Sequence, residues 1–182
     1  MTIQSVSKLD AATRQLRMAI VLYFRDADPL GVHTLAGAAH GLLRDLLVRR
    51  DGPPGVQARD EMVRSEHLTF VTRMVNEAKN VLKHANRDPD HVLTFNPDWT
   101  DFLVFDAIRM HIELASELNR ANTLFLIWLS AKYPNVLLLD KFLGDGIAEL
   151  RRLFPKLGAV DAQKRTFLAV LNNESPQVRG AE

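Results

Sequence analysis

The sequence predicts an all-α protein, a single-domain bundle of about six or seven helices. Apolar residues recur at three- and four-residue spacing along most of the chain, the period of a helix that buries one face. Helix-capping residues precede several of these segments, and proline and glycine cluster between them. The apolar run Leu124–Leu129 could also form a buried strand, but no second segment has the pattern of a partner strand. We therefore expect helices throughout.

The first half of the chain contains signals for three helices. Ser7 precedes Asp10 by three residues, an arrangement that caps a helix start. The pair Asp28-Pro29 combines a cap with the proline favoured in a first turn. A loop rich in glycine and proline separates the second helix from the third. The predicted helices cover residues 8–25, 29–49 and 62–84.

The second half contains signals for three or four more helices. Asp98 restarts the helical pattern, and the helix that follows has two apolar stripes, which indicates a central position. Asn122, Asn135 and Asp161 are the predicted caps of the later helices. The predicted helices cover residues 98–118, 123–132, 136–154 and 162–171. We place the domain at residues 1–173 and expect the polar tail 174–182 to be disordered.

Composition excludes several classes of protein. The chain has 182 residues and is 47% hydrophobic, enough for one domain with its own core. Its 23 basic and 22 acidic residues give a net charge of +1, so a nucleic-acid site would have to be local. No cysteine is present, which excludes disulfides and thiolate ligands. The first residues lack the order of a secretion signal and no apolar run is long enough for a membrane span, so we expect a cytoplasmic protein.

The segment Glu77–His91 concentrates titratable side chains at the predicted end of the third helix. Three of its residues are basic and two histidines accompany them: Lys79, Lys83, Arg87, His84 and His91. A polar helix end followed by an Asp-Pro-Asp turn explains this composition without any function. The same concentration of donors would suit an anionic ligand, for which Arg87 is a candidate contact. Both interpretations stay open.

The spacing within this segment resembles the signature of the HEPN superfamily, the higher-eukaryote-and-prokaryote nucleotide-binding proteins. That signature is an arginine, commonly a polar residue next to it, and a histidine a few residues further on. Lys79 takes the arginine position, Asn80 the polar position and His84 the histidine position. The resemblance implies a helical bundle in which two protomers form one metal-independent RNA-cleaving site, where the basic residue steadies phosphate and the histidine aids proton transfer.

The lysine departs from the family pattern in a way that matters chemically. An ammonium group is a point charge and cannot make the planar two-bond contact with phosphate that a guanidinium makes. We therefore expect Lys79, Asn80 and His84 to support nucleotide or RNA binding, or regulation, more readily than cleavage. A protein-interaction or structural module without catalysis is the alternative.

A second candidate site lies on the predicted second helix. His33 and His40 are two turns apart, so they share a face about 10 Å apart along the axis. This distance is too long for one metal ion but suits two ends of a ligand pocket. Gly37 and Gly41 near the same face would allow another backbone or a ligand to approach. Close helix packing around hydrogen-bonded histidines is the alternative interpretation.

A metal-dependent enzyme is a further alternative. It would require His33 or His40 to meet acidic or histidine side chains of other helices, such as His84, His111 or Glu113. The sequence has no Glu-x-x-His pair, phosphate-binding loop or dinucleotide fingerprint, so we assign no metal and no cofactor. We expect a homodimer, because the helix over 98–118 has two apolar faces.

Overall fold

The computed structural model describes residues 3–51, 63–81, 90, 92–137 and 164–172, with the backbone alone for 76–81. These residues form six α-helices and one 3-10 turn, Ser65–His67, before the third helix. The helices are α1 Lys8–Phe24, α2 Pro29–Asp51, α3 Leu68–Val81, α4 Asp98–Ala115, α5 Arg120–Lys132 and α6 Lys164–Leu171. The all-α prediction is confirmed.

Two predicted helix starts are confirmed by their hydrogen bonds and one is wrong. The Ser7 hydroxyl accepts a bond of 3.0 Å from the backbone nitrogen of Asp10. The Asp28 carboxylate accepts one of 2.9 Å from the nitrogen of Gly31. Asn122, however, lies inside α5, and the cap is Asn119, whose side chain accepts from the nitrogen of Asn122 at 3.0 Å. Asn122 is buried and its amide contacts another helix, so it is unavailable as a cap.

Helix α4 is the centre of the bundle, as its two apolar stripes predicted. Every residue from Thr100 to His111 is buried. Side-chain contacts pair the end of α1 with the start of α4 and the start of α1 with the end of α4, so these helices are antiparallel. Residues near the start, middle and end of α2 contact residues near the start, middle and end of α4, respectively, so α2 and α4 run parallel.

An aromatic cluster attaches α6 to the bundle. Phe167 is fully buried and stacks on Phe24 of α1 with ring centroids 5.5 Å apart and an interplanar angle of 13°. Phe125 and Trp128 of α5 surround the same ring of Phe24. Because α1, α5 and α6 all contribute rings, burial of this cluster stabilises their mutual packing.

The predicted bounds of two helices differ from the structure. Helix α3 begins at Leu68 because Val63 is extended and pairs with Leu137 as an isolated bridge. This bridge also places Val136 in a turn, so the helix predicted over 136–154 does not begin there. Residues 138–154 lie outside the described part of the chain. Within the described ranges, none of the helices combines the length and apolarity that crossing a membrane would require.

Candidate functional site

The two histidines of α2 share a face, as predicted, and that face lies against α4. His33 Nδ1 is 3.0 Å from the hydroxyl of Thr100. His40 Nε2 is 2.8 Å from the carboxylate of Asp106. Both rings are buried, so each forms a polar contact between parallel helices rather than an open ligand site. A ligand role for His33 and His40 stays a prediction.

His33 is held in its neutral form. Its ring is 1% exposed and meets the edge of Phe95 at a centroid distance of 5.2 Å. Burial lowers the pKa of His33 to about 4. Its Nε2 atom has no hydrogen-bond partner among the described residues, so protonation there would create a charge without compensation.

His40 contacts the buried end of a row of charged side chains that reaches the surface. Arg109 donates to Asp106 at 3.2 Å and to the carboxylate of Glu113 at 3.2 Å. Arg50, at the end of α2, donates to the backbone carbonyl of Glu113 at 2.7 Å. The alternation of sign along this row compensates the buried groups and fixes the register of α2 on α4.

His111 occupies a third buried position and has an assignable tautomer. Its Nδ1 lies 3.3 Å from the amide nitrogen of Asn122, which is a donor, so Nδ1 accepts. Its Nε2 lies 3.0 Å from the hydroxyl of Thr13, which itself donates to the Leu9 carbonyl, so Nε2–H donates. Burial lowers the pKa of His111 despite the opposing charge of Glu117. Across the described ranges, no three His, Asp or Glu side chains are grouped to hold a metal ion.

The HEPN-like residues are only partly within the described chain. Lys79 and Asn80 lie in the helical backbone of α3, two and one residues before its end at Val81. His84 and Arg87 lie outside the described residues. The structure therefore places the first two motif residues on a helix and does not test the grouping of the motif.

Two pockets open beside the first turn of α4, and sequence reasoning identified neither. The bundle-end pocket has a volume of about 380 Å³ and lies among the ends of α1, α2, α4, α5 and α6. Its polar lining comes from Tyr23, Asp26, Asp28, Asp98, Thr100, Lys132 and Lys164. The aromatic pocket, of about 370 Å³, is lined by Phe70, Arg73, Met74, Asn96, Asp98, Trp99, Phe102 and Tyr133. Asp98 borders both.

A fully buried carboxylate organises the bundle-end pocket from behind. Asp101 accepts hydrogen bonds from Tyr23 at 2.6 Å, from Lys132 at 2.7 Å and from Tyr133 at 2.9 Å. Burial raises the pKa of the Asp101 carboxyl, and Lys132 is the main group that opposes the rise. The three donors stabilise the ionised form of Asp101 against this rise.

The pKa shifts around Asp101 keep Tyr23 and Lys132 protonated at neutral pH. Burial, reinforced by the charge of Asp101, raises the pKa of the Tyr23 hydroxyl far above its usual value. Burial alone would lower the pKa of Lys132, but the Asp101 and Asp98 carboxylates outweigh it and raise that pKa. Lys164 is paired with Asp26 at 2.8 Å, and its ammonium lies 4.4 Å from the ring centre of Tyr23. Tyr23 and Lys132 are therefore donors, not bases or nucleophiles.

Only a weak sequence signal could have identified this network. Asp101 falls in the first turn of a predicted helix, where an acidic residue is expected for capping reasons alone. Its partners Tyr23 and Lys132 are 78 and 31 residues away along the chain, on helices whose packing the sequence does not specify.

Comparisons with protein-family models, curated proteins and solved structures found no match for the chain.

Proposed function

We propose that this chain is a HEPN-like helical module that binds a nucleotide or RNA and does not cleave it. One observation carries the proposal. Helix α3 contributes Phe70, Arg73 and Met74 to the aromatic pocket and carries the Lys79-Asn80 pair further along the same helix. Six residues separate Arg73 from Lys79, which is about 9 Å along a helix axis. A nucleotide or a short RNA segment is long enough to contact both.

The bundle end supports binding rather than chemistry. Lys132 and Lys164 are paired with carboxylates, and the hydroxyls of Tyr23, in the pocket lining, and Tyr133, beside it, are bonded to Asp101. General acid–base catalysis needs a group whose pKa lies near the working pH. The pKa values of Tyr23 and Lys132 are raised further above pH 7, so both groups stay protonated and act as hydrogen-bond donors in the pocket lining. Such a module agrees with the cytoplasmic location expected from the sequence.

The proposal predicts that His84→Ala weakens RNA binding at least tenfold without a loss of helicity. Lys79→Ala should have a similar effect, because each change removes a motif side chain that would contact the bound RNA, and Lys79→Ala in addition removes a positive charge that would face phosphate. Fluorescence anisotropy with a labelled single-stranded RNA measures the affinity, and gel analysis of the same RNA measures cleavage. His67→Ala is the matched control, because His67 lies in the 3-10 turn before α3 and outside both pockets.

Three results would contradict the proposal. Equal affinity of wild type and His84→Ala for RNA would remove the motif from the binding site. Cleavage of RNA by the wild type, lost in His84→Ala, would show an enzyme. Absence of RNA binding together with a reproducible protein partner would favour the protein-interaction module instead.

A homodimer is part of the proposal, because HEPN-like sites are shared between protomers. The apolar faces of α4 do not supply the interface, since α1, α2, α3 and α5 pack around α4 within one chain. The interface must therefore use other residues. Sedimentation equilibrium of the full chain measures the oligomeric state, and a monomer at micromolar concentration would contradict a composite site.

A further inference from the structure

The aromatic pocket has the composition of a site for a flat, polar ring. Four of its lining side chains are aromatic: Phe70, Trp99, Phe102 and Tyr133. Phe102 is buried and forms the floor, where Phe70 meets it at 5.6 Å and Tyr133 at 4.9 Å between ring centroids. Phe70 is 43% exposed, so part of its ring is open to a ligand in this pocket.

Polar side chains with hydrogen-bonding groups line the same pocket. The side-chain oxygen Oδ1 of Asn96 accepts a bond of 3.0 Å from the backbone nitrogen of Asp98, which fixes the side-chain amide group. The Asn96 amide nitrogen bonds no other described residue, so it can donate to a ligand. Asp98 Oδ1 bonds Lys132 at 2.7 Å, and its Oδ2 remains as an acceptor among the described contacts. Arg73 of α3 also lines the pocket and brings a guanidinium to it.

We infer that the aromatic pocket binds a nucleobase, with its edge at Asn96 and Asp98 and its phosphate toward Arg73 and α3. An amide donor beside a carboxylate acceptor matches a base that presents a ring nitrogen next to an amino group, as adenine and cytosine do. Stacking on aromatic side chains supplies much of the affinity for single-stranded bases. The volume of about 370 Å³ is within the range of small-ligand pockets.

A hydrophobic side chain from a partner protein fits the pocket less well. It would cover Asn96 and Asp98 without offering them hydrogen bonds, and unpaired polar groups weaken binding. The bundle-end pocket fits a base less well too, because its lining has one aromatic ring, Tyr23, against which Lys164 is already placed. The inference rests on the proposed function and makes it more specific.

The test uses the fluorescence of Trp99 in the full chain. Adenosine monophosphate should quench Trp99 emission, whereas ribose 5-phosphate, which has no base, should not. Trp128 is fully buried and outside the pocket, so it gives a constant background, and Trp99→Phe should abolish the response. Phe70→Ala should weaken binding about tenfold. Met18→Ala, which truncates a half-exposed apolar side chain on α1, should leave the affinity unchanged.

The other outcomes distinguish this inference from the proposed function. If RNA binds by anisotropy but adenosine monophosphate does not quench Trp99, the base pocket is wrong and the RNA-binding proposal stands. If ribose 5-phosphate or phenylalanine amide competes as well as the nucleotide, the pocket does not recognise a base. If neither RNA nor nucleotide binds, both proposals fail. Phe70→Leu, which keeps apolar bulk and removes the ring, replaces Phe70→Ala if that variant loses helicity.

Discussion

Replacing Asp101 with alanine is expected to lower the free energy of unfolding by about 3–5 kcal/mol. The carboxylate is 0% exposed and accepts from Tyr23, Lys132 and Tyr133. Its removal takes from the Tyr23 and Tyr133 hydroxyls and from the Lys132 ammonium the buried acceptor that they share. Removing the partner of a buried hydrogen-bonding group lowers the free energy of unfolding by about 1–3 kcal/mol, so three such losses account for the size of the effect.

Asp98→Ala is the matched control for this prediction. Asp98 contacts the same ammonium of Lys132 at 2.7 Å, but its side chain is 56% exposed. Water can solvate the Lys132 ammonium in place of the exposed Asp98 carboxylate, so we expect the free energy of unfolding to fall by less than about 1 kcal/mol. Urea unfolding followed by circular dichroism measures both variants. Equal losses for the two would show that Asp101 does not organise the end of the bundle.

Acidification from pH 7 to pH 4 is expected to destabilise the protein by about 3 kcal/mol through His33 alone. The pKa of His33 is about 4 in the folded chain, against 6.5 in an unfolded one. The unfolded state therefore binds the proton more readily than the folded state. Stability from this group is complete above pH 6.5 and falls progressively as the pH decreases toward 4.

His33→Asn isolates this contribution from those of other titrating groups. Asparagine keeps a polar side chain near Thr100 but has no proton to gain in this range. The difference in unfolding free energy between wild type and variant should thus shrink by about 3 kcal/mol from pH 7 to pH 4. An NMR titration of the His33 ring gives the pKa directly. A midpoint near 6.5 in the folded protein would contradict the assignment.

Helical periodicity predicted the fold class and the central position of α4 because burial of an apolar face is a local property of the sequence. Ser7 and Asp28 were identifiable as caps for the same reason, since each bonds a backbone nitrogen three residues ahead. Asn122 had the right residue type for a cap but is directed to His111, 11 residues away on α4. A local rule could not anticipate that contact.

The candidate sites required information that the sequence does not contain. The shared face of His33 and His40 followed from their spacing, but their partners Thr100 and Asp106 depend on how α2 packs on α4. Phe70 and Trp99 lie on different helices, and nothing in either local sequence indicates that they line one pocket. Sequence identifies candidate groups, whereas helix packing determines which of them meet.

The parallel arrangement of α2 and α4 has a consequence for how this protein can diversify. Two neighbouring helices that point the same way cannot be joined by a tight turn, so a long connection must link the end of α2 at Asp51 to the start of α4 at Asp98. Helix α3 lies within that connection and contributes Phe70, Arg73 and Met74 to the aromatic pocket. Changes in α3 can therefore alter the lining of this pocket while the contacts among α1, α2, α4 and α5 stay unchanged.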